Sequence, residues 1–140
     1  MAETIQDIMT KDIHTVRNNT TLLEVARLMR DKRIGDVLVL DDAGKLKGIV
    51  TDRDIVVRAD ADGKALDKTT VGAIHTDKPH EVQPTTSIDE AVRLMREHAV
   101  RRLPVVSEGK PIGIVSIGDI ARHKDPKSVL GQISTAAPNN

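Results

Sequence analysis

Gly48-Ile49-Val50-Thr51-Asp52-Arg53-Asp54-Ile55 returns later in the chain as Gly113-Ile114-Val115-Ser116-Ile117-Gly118-Asp119-Ile120. Both stretches read Gly-Ile-Val, a hydroxyl residue, two variable positions, Asp and Ile. The apolar start reads as a short buried strand. A hydroxyl three residues ahead of a carboxylate is the pattern that opens a helix, since each side chain can satisfy the other's backbone N–H. The same arrangement suits a nucleotide. Free N–H groups at a helix start attract phosphate, and a carboxylate accepts hydrogen bonds from two neighbouring ribose hydroxyls. A lone Thr-x-x-Asp is more often a cap than a site. Its recurrence in one strand-to-helix context favours at least one working nucleotide site, and capping and binding are compatible.

The echo extends well beyond the motif. Arg27-Leu28-Met29-Arg30 recurs as Arg93-Leu94-Met95-Arg96, an offset of 93 − 27 = 66, and Glu24/Glu90 and Val16/Val82 keep it. Gly48 and Gly113 are 65 apart, one residue having dropped out between the loops Asp41-Asp42-Ala43-Gly44-Lys45 and Ser107-Glu108-Gly109-Lys110. Nearly the whole of the first half therefore aligns with the second, a tandem repeat. The division is residues 1–60 as the first repeat, 61–70 as a connector, 71–124 as the second repeat and 125–140 as a tail.

The chain has 140 residues, 21 basic against 21 acidic, and no Cys, Phe, Trp or Tyr. Its length suits one domain in which two small repeats share a core. Zero formal charge supplies no global field for nucleic acid or an anionic membrane, and the absent aromatics remove the usual stacking platforms. A bound base must lie in an aliphatic slot. Without cysteine there is neither a disulfide framework nor a thiolate metal site. No signal peptide and no bilayer-length apolar run is visible, so the expectation is a cytoplasmic protein. No P-loop, catalytic triad or His-x-x-x-His pair is present among His14, His75, His80, His98 and His123, so no enzyme activity and no metal site is expected.

In the first repeat, Ile5, Ile8 and Met9 predict a short lead-in helix, and Ile13 to Val16 a strand. Thr21 and Glu24 open a helix whose apolar stripe is Leu22, Val25, Ala26 and Met29. Val37 to Leu40 and Leu46 to Val50 form a hairpin, and a second helix runs from Thr51 to Ala59. The second repeat follows suit: a helix after Ser87 with stripe Ile88, Ala91, Val92 and Met95, a hairpin of Leu103–Val106 and Ile112–Val115, and a helix over 117–123. Pro104 predicts an edge or strand-start position. In the tail, Val129, Leu130 and Ile133 are expected to dock.

Each repeat thus reads β-α-β-β-α. This order, the paired Arg-Leu-Met helices, the Arg102-Leu103-Pro104-Val105-Val106 strand and the Gly-Ile-Val-[Thr/Ser]-x-x-Asp turn together resemble the CBS (cystathionine β-synthase) domain. The tandem looks like a CBS pair, or Bateman module, of the stand-alone bacterial kind. The resemblance implies an α+β fold in which the repeats pack through their sheets with pseudo-two-fold symmetry, leaving two clefts. It implies adenosyl ligands there: AMP, ADP or ATP first, then S-adenosylmethionine or NAD, with no obligatory cofactor. It places the ribose-binding carboxylate at Asp54 and Asp119, the phosphate-side hydroxyl at Thr51 and Ser116, and phosphate-facing cations at Arg101 and Arg102. Arg53, beside the motif, joins these as a candidate.

The repeats are unequal. Asp36 stands where the second repeat has Arg102, and a carboxylate there repels phosphate. Gly118 replaces Arg53. Charge therefore favours the pocket nearest Arg101 and Arg102. The resemblance also implies a homodimer formed through helices, with Leu23 and Leu28 as candidate interface positions, and a target protein the sequence does not name. The alternative is an apo, homodimeric protein-interaction module whose clefts are vestigial.

Overall fold

The computed structural model describes residues 3–77 and 79–124, with backbone alone for 76 and 77. The described chain falls into two compact units, each assembled from both repeats. One comprises residues 14–77 and 79; the other comprises 3–13 and 80–124.

The first unit is a four-stranded sheet with two helices. β1 (Thr15–Arg17) runs parallel to β2 (Asp36–Leu40), which pairs antiparallel with β3 (Leu46–Thr51), and β3 pairs antiparallel with β4 (Thr76–Asp77). α1 (Leu22–Lys32) opens where the Thr21 hydroxyl accepts the Glu24 N–H at 3.2 Å. It closes at Arg33, a left-handed residue (φ 57°) whose N–H reaches the Met29 carbonyl. Leu22, Val25 and Met29 line its buried stripe and meet Val37, Val39 and Val50 of the hairpin. In β2, Val37, Leu38 and Val39 are all buried, which is why that strand is uninterruptedly apolar. The hairpin turn is held by Asp41, whose Oδ1 accepts the Ala43 and Lys45 N–H groups at 2.9 and 3.0 Å. α2 (Asp52–Asp54) makes one α turn and continues as a π-helix, Ile55–Asp60.

The second unit repeats this plan with shorter outer strands. β5 (Arg102–Ser107) and β6 (Lys110–Ser116) form the hairpin, with Leu103 opposite Val115 and Val105 opposite Gly113. Val82 forms a single parallel bridge to Val105, and Thr10 a single antiparallel bridge to Ile114. α3 (Ile88–His98) is capped by Ser87, whose hydroxyl accepts the Glu90 N–H at 3.1 Å, and α4 (Ile117–Lys124) follows β6. Ile88, Ala91 and Met95 pack with Leu103, Val105, Val115, Val82 and Ile5.

The lead-in segments are exchanged between repeats. A 3-10 turn at Ile5–Asp7 precedes Thr10, which pairs with the second hairpin; its counterpart at Val71–Ala73 precedes β4, which pairs with the first. The offset of 66 is kept, since 5 + 66 = 71 and 10 + 66 = 76. Burial drives this: Ile5 and Val71 are each fully inaccessible, Ile5 in the second unit's core and Val71 in the first's. Gly113 allows the close approach, because a Cβ there would meet the Thr10 carbonyl at 3.0 Å. His75 stands where the other lead-in has Met9 (9 + 66 = 75). It is 8% exposed, and neither ring nitrogen has a partner among the described residues.

Most expected elements appear within a residue or two. The short lead-in helix is a 3-10 turn, with the Thr4 N–H and hydroxyl both donating to the Asp7 carboxylate. The second helix of the first repeat widens to π after one turn. The compact units change over at residues 13 and 79 because the lead-ins are exchanged. Pro104 is tolerated inside β5 because the flank away from β6 carries only the one-residue bridge to Val82, so no rung requires its missing N–H. Val129, Leu130 and Ile133 lie outside the described residues.

Candidate functional site

Both motifs form at the junction of a hairpin strand and a helix. In the first unit β3 ends at Thr51, and the Thr51 hydroxyl accepts the Asp54 N–H at 3.1 Å while Asp54 Oδ2 accepts the Thr51 N–H at 2.9 Å. In the second, the Ser116 hydroxyl accepts the Asp119 N–H at 3.2 Å and Asp119 Oδ2 accepts the Ser116 N–H at 2.9 Å. Each carboxylate thus commits Oδ2 to the cap and keeps Oδ1 for a side chain or a ligand. The boxes at α1 and α3 are looser. Glu24 takes the Thr21 hydroxyl instead, and Glu90 pairs with Arg93.

Asp119 is the more enclosed of the two. Its Oδ1 accepts the Thr10 hydroxyl at 3.3 Å and the Arg122 guanidinium one helical turn on, and its side chain is 4% exposed. The Asp54 side chain is 18% exposed, and its cation neighbour Arg58 stands at 4.0 Å, beyond hydrogen-bond reach. Arg58, Arg122 and Thr10 escaped sequence reasoning. The arginines were signalled by their spacing of four and three residues after the motif Asp, which places them on the same helix face.

Arg102 lies opposite Ser116 in the β5–β6 register, and the Arg101 carbonyl accepts the Ile117 N–H at 3.0 Å. The second unit therefore brings Arg101, Arg102, Ser116 and Asp119 to one end of its hairpin. In the first unit the matching register sets Asp36 opposite Thr51, and the Gly35 carbonyl accepts the Asp52 N–H. Arg53 is exposed and follows Asp52, whose Oδ1 accepts the Arg53 backbone N–H at 2.8 Å. A cation thus flanks one motif where an anion flanks the other.

Among the described residues, no cluster of three or more His, Asp or Glu side chains is placed to hold a metal ion. His80 and His98 instead stack with centroids 3.6 Å apart, and His123 pairs with Glu3. No helix among the described residues is long and apolar enough to cross a membrane.

Comparison with known proteins agrees with the fold. The chain is 40% identical over 127 residues to Hypoxic response protein 1 of Mycobacterium tuberculosis, covering 91% of this chain and 89% of that protein. A crystal structure of the CBS domain pair of protein MJ0100, in complex with 5'-methylthioadenosine and S-adenosyl-L-methionine, matches with TM-score 0.79 and 27% identity. The match covers 91% of this chain and 100% of that one. The crystal structure of CBSX2 in complex with AMP matches with TM-score 0.74 and 34% identity, over 86% and 94% of the two chains. The CBS domain model matches twice, at residues 5–60 and 71–125. Duplicated hairpins, capped motif helices and both family matches converge: this chain belongs to the CBS domain family, as a tandem of two such domains.

Proposed function

We propose that this chain is a regulatory, non-catalytic module that binds an adenosyl ligand at its strand-to-helix motifs. Asp54 and Asp119 hold the ribose hydroxyls, Thr51 and Ser116 lie toward the phosphate or its equivalent, and Arg101, Arg102 and Arg53 supply positive charge. AMP, ADP and ATP are the first candidates, with S-adenosylmethionine and NAD after them. The observation that carries this reading is the shared division of labour in the two carboxylates, with Oδ2 given to the cap and Oδ1 left to other partners. The AMP, methylthioadenosine and S-adenosylmethionine held by CBS relatives support the ligand class. Binding shifts the populations of two packing states, which a target protein reads. The module acts as a homodimer in the cytoplasm.

A second reading is favoured by Asp36, whose register opposite Thr51 puts negative charge at one motif. In it, the chain is a ligand-free homodimeric interaction module. Calorimetric titration of ligand-stripped protein with AMP, ADP, ATP, NAD and S-adenosylmethionine separates the two. Saturable binding that disappears in Asp54→Ala or Asp119→Ala supports the sensor. Silence across the panel, with the substitutions costing only about 1 kcal/mol of capping each, overturns it.

A further inference from the structure

We propose that Arg122 is an internal latch on the second motif, so that the unliganded chain offers one open ribose-binding carboxylate, Asp54, and one closed one, Asp119. The inference rests on the nucleotide reading above and assigns unequal roles to its two sites. A carboxylate has about four lone-pair positions. At Asp119 three are taken: Oδ2 by the Ser116 N–H, Oδ1 by the Thr10 hydroxyl and by the Arg122 guanidinium. Two ribose hydroxyls need two positions, so a ligand there must displace Thr10 or Arg122; the Thr10 backbone is pinned to Ile114 on both sides, whereas Arg122 is a long, partly exposed side chain that can swing away. At Asp54 the Thr51 N–H takes one position, and Arg58, at 4.0 Å, takes none.

Sequence and local helix geometry together produce the difference: the position matching Arg122 is Val57 (122 − 65 = 57). α4 is a regular α-helix, which puts the side chain three residues on over the motif carboxylate. After Asp54 the chain widens to a π-helix, and its arginine comes four residues on and stands off. Burial agrees, at 4% exposure for the Asp119 side chain against 18% for Asp54. The latch therefore reverses the ranking that charge alone gives. The motif beside Arg101 and Arg102 has the cations, but its carboxylate is already occupied.

The test is calorimetry with AMP and, separately, S-adenosylmethionine on four proteins: wild type, Arg122→Gln, Asp54→Ala and Asp54→Ala/Arg122→Gln. Gln keeps the stem and the helix; Arg122→Ala is run in parallel, and circular dichroism verifies the fold. The expected result is one equivalent per chain in wild type, lost in Asp54→Ala. Arg122→Gln then adds a second equivalent, about tenfold tighter than any residual wild-type binding there, and the double variant retains it. Two equivalents already in wild type, or one unchanged equivalent in both Arg122 variants, overturns the latch while leaving the nucleotide reading intact. No heat in any of the four proteins overturns the nucleotide reading and the latch with it.

Discussion

The hydroxyl of Thr10 donates to the carboxylate of Asp119 at 3.3 Å across 109 residues of sequence. It ties the exchanged lead-in to the motif helix of the second unit. Thr10→Val keeps the shape and removes the donor. The expected loss is about 1 kcal/mol, read as a lower urea midpoint with an unchanged slope.

Gly113 lies beneath the same lead-in. A methyl group there meets the Met9 sulfur, which can swing aside, and the Thr10 carbonyl, which cannot because it accepts the Ile114 N–H at 2.9 Å. Gly113→Ala should cost about 1–3 kcal/mol, measured by thermal melting. Amide exchange at Ile114 should accelerate in the same variant.

His75 buries two ring nitrogens without a protein partner among the described residues, at a position where the other repeat uses Met9. His75→Met removes the desolvation cost and keeps an adaptable apolar filler. Chemical denaturation should show a gain of about 1–3 kcal/mol. A loss would mean that the imidazole has a partner in solution.

Ala99 closes α3 in the left-handed region, with φ 54° and its N–H on the Met95 carbonyl. Glycine adopts this conformation without the Cβ penalty. Ala99→Gly should raise stability by about 1 kcal/mol, and the same change at Arg33, with φ 57°, should act in parallel.

Two acids in the first turn of α3 give an acid-dependent term. Lys124 hydrogen-bonds Asp89 and holds its carboxyl below the usual range, and Arg93 does the same for Glu90. Carboxylates with depressed folded-state values stabilise the fold above their unfolded values and lose that contribution as pH falls through the folded ones. Lys124→Ala/Arg93→Ala should therefore melt lower than wild type at neutral pH. The gap should close as pH drops through the carboxylate range and shrink with added salt.

The hairpins, the apolar stripes of α1 and α3 and both capping carboxylates were legible because they depend on local period and spacing. Leu22, Val25 and Met29 fall on one face by the period of the helix alone. Which hairpin a lead-in joins was not legible, because Ile5 and Val71 are equally apolar and either core would take either one. Nor was the widening of the helix after Asp54, since Ile55-Val56-Val57 reads the same in α and π geometry. The Arg122 contact escaped for a similar reason: an arginine one turn past an aspartate is a common surface pair, and only burial of the Asp119 side chain separates this case. For the candidate site, the reciprocal caps of Thr51/Asp54 and Ser116/Asp119 were readable from spacing, whereas the side chains that meet the second oxygen of each Asp were not.

The exchanged lead-ins set an order of events during synthesis. Thr10 is synthesised well before Ile114, its bridge partner in β6, so this pairing waits for the 114 − 10 = 104 residues that separate them. The first hairpin waits in turn for residues 71–77 from beyond the connector. A nascent first repeat is thus an unfinished object, and so is any fragment cut at the connector. Halves made separately each carry the lead-in that pairs with the other's hairpin.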